Sequence, residues 1–528
     1  MPVATAYAIS LQGALGHLIE VQADVSSGIV GTVVVGRPDP SLQEARDRCR
    51  MAVTNSGLTW PATRRVTVLL APADLPKRGT HFDLAFAVAV LAAADQVPHS
   101  SLVDTVFIGE LTLSGGLRAV TGVLPMTMAA ARRGIRRVFV PETQAREAAL
   151  VPGMEVIGMR SLGQVVAELN GEEVPDAEPV APLSGGRLLA WRGQDRGDDL
   201  DLADLHGMAD ARYAVEVAAA GGHHVMLSGP KGSGKTTLAE RVPGLLPDLS
   251  AEEALELTAI HSLAGALEPG ADLLRRPPFF GPHHDASRAS LIGGGSGSVR
   301  PGEISRAHCG VLFLDEFPLF HADVVEALRQ PLESGEVTIA RGQESATFPA
   351  RGMIVLAANP CPCGDYHPVA RHNRCTCSEV RRRDYRRKLS GPIVDRIDIT
   401  RHLLPVQPWE LRDRFSTPEP TTPVRERVQE ARQRQTTRYV GRPWRLNGQA
   451  PGHELLRDWP LTDAAQQLVD ERLYGGRLSR RGATRVHRLA WTVADLRGVS
   501  RPDVAETDIA LRLRGGDPLE LASLRRVG

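Results

Sequence analysis

The feature that most constrains the fold is an eight-residue loop, "GPKGSGKT", Gly229 to Thr236. It matches Gly-x4-Gly-Lys-Thr and has the right neighbours: "HHVMLSG" before it reads as a buried strand, and "TTLAERVPGLL" after it reads as a helix. Glycines let successive backbone N–H groups turn inward around a phosphate, and the helix start adds the positive end of its dipole. Gly229, Pro230, Lys231, Gly232, Ser233, Gly234, Lys235, Thr236 and the adjoining Thr237 are therefore expected to hold ATP. Lys235 is expected to bridge the β- and γ-phosphates, and Thr236 to ligate Mg²⁺.

Such a loop needs parallel strands that end beside it. Two further apolar runs fit. "GVLFLDE" ends in Asp315 and Glu316. Asp315 is expected to hold Mg²⁺, directly or through water, and Glu316 to orient and polarise the attacking water. Taken alone, such a pair could equally be a helix N-cap. "GMIVLAAN" then delivers Asn359 to the same edge, where its amide would sense the γ-phosphate and help hold the water.

At 528 residues the chain is long enough for several cores, and three units are expected. Residues 1–168 alternate β-like and helical runs and read as an α/β domain; 169–201 are acidic and rich in Pro and Gly and read as a linker. Residues 202–405 form the nucleotide domain, and 406–528 look helical. No run of about eighteen apolar residues exists to cross a bilayer. The start, "MPVATAYAISLQGALGHLIEV", lacks the basic and apolar regions of a secretory leader, so a cytoplasmic location is expected.

In that compartment clustered cysteines point to metal binding or redox work. Four of the six, Cys361, Cys363, Cys375 and Cys377, crowd into "LAANPCPCGDYHPVARHNRCTC". Two Cys-x-Cys pairs supply four thiolates, enough for a closed, structural Zn²⁺ site, with His367 or His372 as substitute ligands. The plainer reading is thiols without function. Lys plus Arg equals Asp plus Glu at 62 each, so any nucleic-acid binding has to be local. One candidate is "RRRDYRRK", with Arg381, Arg382, Arg383, Arg386, Arg387 and Lys388, although a solvated helix face explains such a run as well.

The stretches "PFFGPHHDASRASLIGGGSGSVRPGEISRAHCGVLFLDEF", "LRQPLESGEVTIARG", "NPCPCG" and "LSGPIVDRIDI" resemble the magnesium-chelatase-like AAA+ ATPases, and most closely the YifB/ComM family. The resemblance runs through nearly the whole chain. It implies a P-loop AAA+ parallel sheet with a helical lid, and a hexameric ring of identical subunits. It also implies a helicase that drives branch migration of single-stranded or branched DNA during transformation or recombination. Arg396, in "SGPIVDRID", matches the finger that completes a neighbour's site; an ion pair with Asp395 or Asp398 is the plain alternative. Arg485 matches a second sensor at the start of a lid helix, with Arg481 as its rival. "GEVTIARGQESATFPARG" matches a hairpin that projects into the pore, so Arg341, beside Gly342 and Gln343, would touch a DNA phosphate. "LIGGGSGSVRPGE" fits the family's mobile insertion. His283 and His284 look like a metal pair without an evident third ligand, and packing or hydrogen bonding suits them better. Two departures stand out: the family's Pro-Phe-Arg-Ala-Pro-His-His reads Pro278-Phe279-Phe280-Gly281-Pro282-His283-His284 here, and Lys231 stands where proline is common.

"LPKRGTHFDLAFAVAVLAA" and "GELTLSGGLRAVTGVLPMTMAAARRGIRRVFVPE" resemble the proteolytic domain of Lon, a ribosomal S5 domain 2-like α/β fold. His81 falls at the Lon serine position and Leu124 at the lysine position. An aliphatic side chain takes no proton, so peptide hydrolysis is not expected and the domain is assigned to assembly or partner binding. Lys77 and His81 as a substitute pair read more simply as a charged loop. Two other functions compete with the DNA motor. One is the motor subunit of a magnesium chelatase, a class that lacks this front domain. The other is a protein-remodelling unfoldase or scaffold.

Overall fold

The computed structural model describes residues 3–36, 40–75, 77, 79–183, 200–295, 299–341, 344–366, 375–388, 391–405 and 418–520. Seven N-terminal strands, β1 (Ala4–Gln12), β2 (Leu15–Ser26), β3 (Gly31–Val35), β4 (Arg65–Ala71), β5 (Thr105–Phe107), β6 (Arg137–Pro141) and β7 (Glu155–Met159), form one mixed sheet. Its order is β3-β4-β2-β1-β5-β6-β7. The helix Asp83–Ala93, "DLAFAVAVLAA", lies against β1 and β2 and is buried along its whole length, which is why its sequence is apolar all round.

The expected linker begins differently from its composition. The helix Leu162–Asn170 runs past residue 168, and the chain after it is tied back to the domain. Gln164 Nε2 donates to the Pro175 carbonyl at 2.8 Å, Arg160 Nη1 donates to the Ala177 carbonyl at 3.2 Å, and Val180 is buried. Side-chain bonds to a backbone carbonyl leave no periodic signature, so a Pro-rich stretch reads as loose when it is anchored. Residues 184–199 lie outside the described residues.

The second sheet is built from β8 (Val225–Ser228), β9 (Phe279–Phe280), β10 (Val311–Leu314), β13 (Met353–Ala358) and β14 (Ile399–His402); β11 (Glu336–Arg341) and β12 (Glu344–Pro349) form a separate antiparallel hairpin. The order β9-β10-β13-β8-β14 is parallel throughout. β10 and β13 are buried on both faces, as a sheet covered by helices requires. Behind β8 and β14 the C-terminal helices do not make a core of their own. Val225, Leu227 and Ile399 share one cluster with Val428 of the helix Thr421–Arg438, Trp491 of the helix Arg480–Arg497 and Leu513 of the helix Val504–Gly515. Residues 406–417, at the expected domain boundary, lie outside the described residues.

Among the described residues, the N-terminal unit meets the nucleotide domain in two regions. Leu124 and Val151 pack on Ala259 of the helix Ala251–Leu263, and beside them Ser262 Oγ donates to Glu147 Oε1 at 2.6 Å. The turn between β1 and β2 touches β12, where Ala14 N donates to the Thr347 carbonyl at 3.4 Å. Gly13 has φ 62° there, and a Cβ on it would stand 2.8 Å from the Thr347 oxygen. Only glycine permits so close an approach.

Candidate active site

Register brings the expected residues together. Ser228 is level with Ala358, and the Gly229 amide donates to the Ala358 carbonyl at 3.1 Å, so the loop after β8 opens beside Asn359. Leu314 is level with Leu356, so Asp315 and Glu316 leave the same edge. Gly232 and Gly234 have φ of 75° and 81°, the left-handed conformations that turn the loop into the helix Lys235–Ala239. Thr237 is exposed on that helix's first turn, and Lys231 is exposed on the loop.

Lys235 Nζ donates to the carbonyls of Gly229 and Pro230 at 2.8 and 2.9 Å and to Asn359 Oδ1 at 3.1 Å. Burial lowers its pKa, and the facing charges of Asp315 and Glu316 oppose that shift. The ammonium is thus held in position and already touches the amide expected to sense the γ-phosphate. The Ser233 hydroxyl, at the centre of the loop, is buried without a partner among the described residues. An orphaned donor inside a glycine-rich loop fits a phosphate oxygen.

Thr236 Oγ1 and Asp315 Oδ2 are 3.0 Å apart. Neighbouring oxygen ligands of an octahedral Mg²⁺ at 2.0–2.1 Å would be separated by about 3 Å, so this pair fits that ion. Glu316 has φ 49°, and its amide is held by Asp315 Oδ1 at 2.8 Å. A left-handed glutamate costs about 1–2 kcal/mol, and here it turns the chain from β10 into the short helix Phe317–Leu319. His284 Nδ1 lies 4.0 Å from Glu316 Oε2. The sequence marked the histidine pair but gave no sign that it stands beside Glu316. Asp285 joins His283 and His284 in one close group, the third oxygen or nitrogen donor that the sequence reading missed.

The four cysteines converge: Cys361 Sγ is 3.3 Å from Cys363 Sγ and 3.6 Å from Cys375 Sγ, and with Cys377 all four sulfurs lie within 4.8 Å of one another. Thiolates at about 2.3 Å from a tetrahedral Zn²⁺ would be separated by about 3.8 Å, so the donor set fits zinc. His367 and His372 lie outside the described residues. The cluster also touches the phosphate loop, since a Cβ on Gly364 would stand 2.7 Å from Lys231 Cγ. Beyond it the helix Glu379–Lys388 inserts Tyr385, whose hydroxyl meets the Asn359 main chain.

Two arginines stand elsewhere. Arg396 is buried, with Nε on Glu333 Oε1 at 2.7 Å and Nη1 on the Pro392 carbonyl at 2.7 Å; its partner is Glu333, not Asp395 or Asp398. Arg485 is paired with Asp398, which is 2 % exposed and also accepts from the His224 amide at 3.0 Å. Ile399 is level with Val225, so Asp398 lies at the opposite end of the strands from the phosphate loop. The structure does not bring Arg485 to that loop, because the helix Arg480–Arg497 packs behind the sheet. Removing Arg485 would strand a buried carboxylate, at a cost of about 3–5 kcal/mol. Arg481 is exposed on the same helix. Arg341 ends β11, with Gly342 and Gln343 outside the described residues, as are 296–298 of the Gly-rich insertion.

In the N-terminal unit, His81 Nε2 donates to the Ile9 carbonyl at 2.9 Å, Lys77 is buried with its ammonium on the Pro72 carbonyl, and Leu124 faces the nucleotide domain.

Comparisons with known proteins bear on the family. Family models described as magnesium chelatase subunit ChlI, subunit ChlI of Mg-chelatase, and magnesium chelatase subunit ChlI C-terminal match residues 201–411, 21–144 and 418–514. An uncharacterized protein of Mycobacterium tuberculosis is 46% identical over 517 residues, covering 97% of this chain and 99% of its own. The competence protein ComM of Haemophilus influenzae is 38% identical over 510 residues, 96% of this chain and 97% of its own. The protein YifB of Escherichia coli is 39% identical over 479 residues, 90% of each.

Proposed function

The chain belongs to the YifB/ComM family of magnesium-chelatase-like AAA+ ATPases, and from that premise we propose an ATP-hydrolysing ring motor acting on DNA. It would work as a homohexamer in the cytoplasm, driving branch migration as DNA is integrated in transformation or recombination. The observation that carries the reading is the hairpin β11–β12, whose first strand ends in Arg341 and which belongs to the domain holding Lys235, Thr236, Asp315, Glu316 and Asn359. A nucleotide site alone would suit any motor. An arm tipped by an arginine suits one whose cargo is a phosphate polymer.

In this reading Lys235 and the Ser233 hydroxyl bind the phosphates, and Glu316 takes up the proton of the attacking water while Asn359 holds that water in line. Thr236 and Asp315 would hold Mg²⁺, which when bound neutralises charge on the phosphates. Arg396 exchanges Glu333 for the phosphoryl group of the adjoining subunit, so assembly completes the site. The four cysteines would hold a structural Zn²⁺ that braces the segment between Asn359 and the basic helix. The N-terminal unit serves as a brace for the arm rather than a peptidase.

The test is ATP hydrolysis measured with single-stranded DNA, a four-way junction, a porphyrin and an unfolded protein. DNA alone should stimulate, and Arg341→Ala should remove the stimulation. Stimulation by porphyrin or unfolded protein, with none by DNA, would end the DNA reading in favour of a chelatase or unfoldase motor.

A further inference from the structure

One group of donor side chains beside the nucleotide site remains without a role. Phe280 of β9 is level with Leu312 of the parallel strand β10, so the two chains leave the sheet in step, and His284 and Glu316 both stand four residues further on. Pro282, buried just before the histidines, fixes the backbone there. His283 and His284 follow with their ring centroids 4.1 Å apart. The Asp285 carboxylate reaches both rings: Oδ2 is 3.3 Å from His283 Nδ1, and Oδ1 is 3.5 Å from His284 Nε2. The three donors lie within 4.8 Å of one another.

Packing does not account for this group, because the side chains of His283 and Asp285 are 71% and 75% exposed. At that exposure an ion pair between them adds little to stability. The Asp285 amide points at His283 Nδ1 from 3.4 Å, which assigns a lone pair rather than a proton to that nitrogen. Donors at about 2.1 Å from a tetrahedral ion stand about 3.4 Å apart, and both nitrogen–oxygen separations match that. Two imidazoles with one carboxylate favour a transition ion over Mg²⁺, which takes oxygen. His284 also reaches Glu316 with its other ring nitrogen, since Nδ1 is 4.0 Å from Oε2. A histidine that binds metal through one nitrogen carries its proton on the other and gives it to a carboxylate or carbonyl. For His284 bound through Nε2, Glu316 is the carboxylate that Nδ1 faces, about 1 Å of movement from a hydrogen bond.

We propose that His283, His284 and Asp285 hold a divalent transition-metal ion, and that this ion, through His284, draws Glu316 away from the attacking water and arrests ATP turnover. The metal site stands on its own donors, while the arrest rests on the reading of Glu316 as the base. The site is distinct from Thr236 and Asp315, which fit Mg²⁺, and from the four cysteines. With its carboxylate turned to His284, Glu316 no longer serves the water that Asn359 holds, and the proton of that water has no acceptor.

The test uses the full-length protein with Ni²⁺ as the probe, its binding followed by calorimetry without nucleotide and its effect by phosphate release at saturating Mg-ATP. His283→Ala keeps all four cysteines, so any Ni²⁺ taken up there is common to it and the wild type. The wild type should bind a Ni²⁺ that His283→Ala binds about a hundredfold more weakly. Saturating Ni²⁺ should lower wild-type turnover about a hundredfold, the low end of what a general base contributes, and leave His283→Ala at its metal-free rate. Glu316→Gln should weaken Ni²⁺ binding about tenfold, a change that competition between Ni²⁺ and Mg²⁺ for ATP does not produce. Equal Ni²⁺ affinity in the wild type and His283→Ala would mean that these residues hold no metal, and the proposal falls. Binding that depends on His283 but leaves wild-type turnover unchanged sinks the link to Glu316. Unimpaired metal-free turnover in Glu316→Gln overturns the base reading and the arrest with it, while the Ni²⁺ affinities still decide the metal site.

Discussion

In the N-terminal unit, His81 and Leu124, at the positions that the resemblance to Lon marks, and the nearby Lys77 are closed on the protein itself. His81 is bonded to the Ile9 carbonyl and Lys77 to the Pro72 carbonyl, while Leu124 packs on Ala259. At the five-stranded sheet Lys235 is bonded to Asn359 and Thr236 to Asp315 at the strand ends, and the Ser233 hydroxyl has no partner among the described residues. Polar residue types are present in both regions. The difference lies in what they would have to give up: freeing a buried donor costs about 1–3 kcal/mol, whereas a donor without a partner gains from its ligand.

Three experiments test how deep that contrast goes. Lys235→Ala should have the largest effect, lowering ATP turnover about a thousandfold, or about 4 kcal/mol of transition-state stabilisation. Phosphate release measures it, and an unchanged rate would place the chemistry elsewhere. Leu124→Lys restores the residue type of Lon at that position and should cost about 3 kcal/mol, because a charge is pushed into the packing against Ala259. Limited proteolysis should cut between the domains at lower protease concentration, with no casein cleavage by the protein itself. Casein cleavage would erase the distinction between the two sheets.

The third test reads a difference of sign with pH. Burial lowers His224 and His261 of the nucleotide domain to about 4. Their contribution is whole above the unfolded value of about 6.5 and is lost as pH falls through about 4. Burial raises Asp83 of the N-terminal unit from 3.8 to about 6, with Arg48 opposing it. That contribution is whole below the unfolded value and is lost as pH rises through about 6. From about pH 7 to about pH 5 the nucleotide domain should weaken by about 2 kcal/mol per histidine, while the N-terminal unit strengthens by about 1 kcal/mol. Hydrogen exchange resolved by domain should show the two moving in opposite directions, and parallel shifts would refute the assignment.

The nucleotide site was legible because its information is local. A glycine-rich loop between a strand and a helix, and two apolar runs ending in Asp315, Glu316 and Asn359, each announce themselves within ten residues. The cysteine spacing was legible for the same reason. What stayed hidden depends on register over long separations. β14 pairs with β8 across more than 170 residues, and that pairing sets Asp398 beneath His224, where it captures Arg485 far from the loop. Glu333 as the partner of Arg396, His284 beside Glu316, and Leu124 at a domain boundary are likewise products of tertiary packing. Periodicity marks which face of an element is buried, but it does not say against what.

The contact between Ala14 and Thr347 bears on how stiff the hairpin β11–β12 is. A two-stranded hairpin held only at its root is a cantilever, and it bends when its tip is pulled. Thr347 pairs with Thr338, between the root at Glu336 and Pro349 and the tip at Arg341, so the N-terminal sheet meets the arm partway along its span. That support adds to the two bonds between Gln330 and Thr338, so the hairpin is propped from both sides, and a load on it would be shared with seven further strands. The stiffness of the hairpin is therefore set in part by Gly13, a residue of the N-terminal unit that lies outside the domain it stiffens.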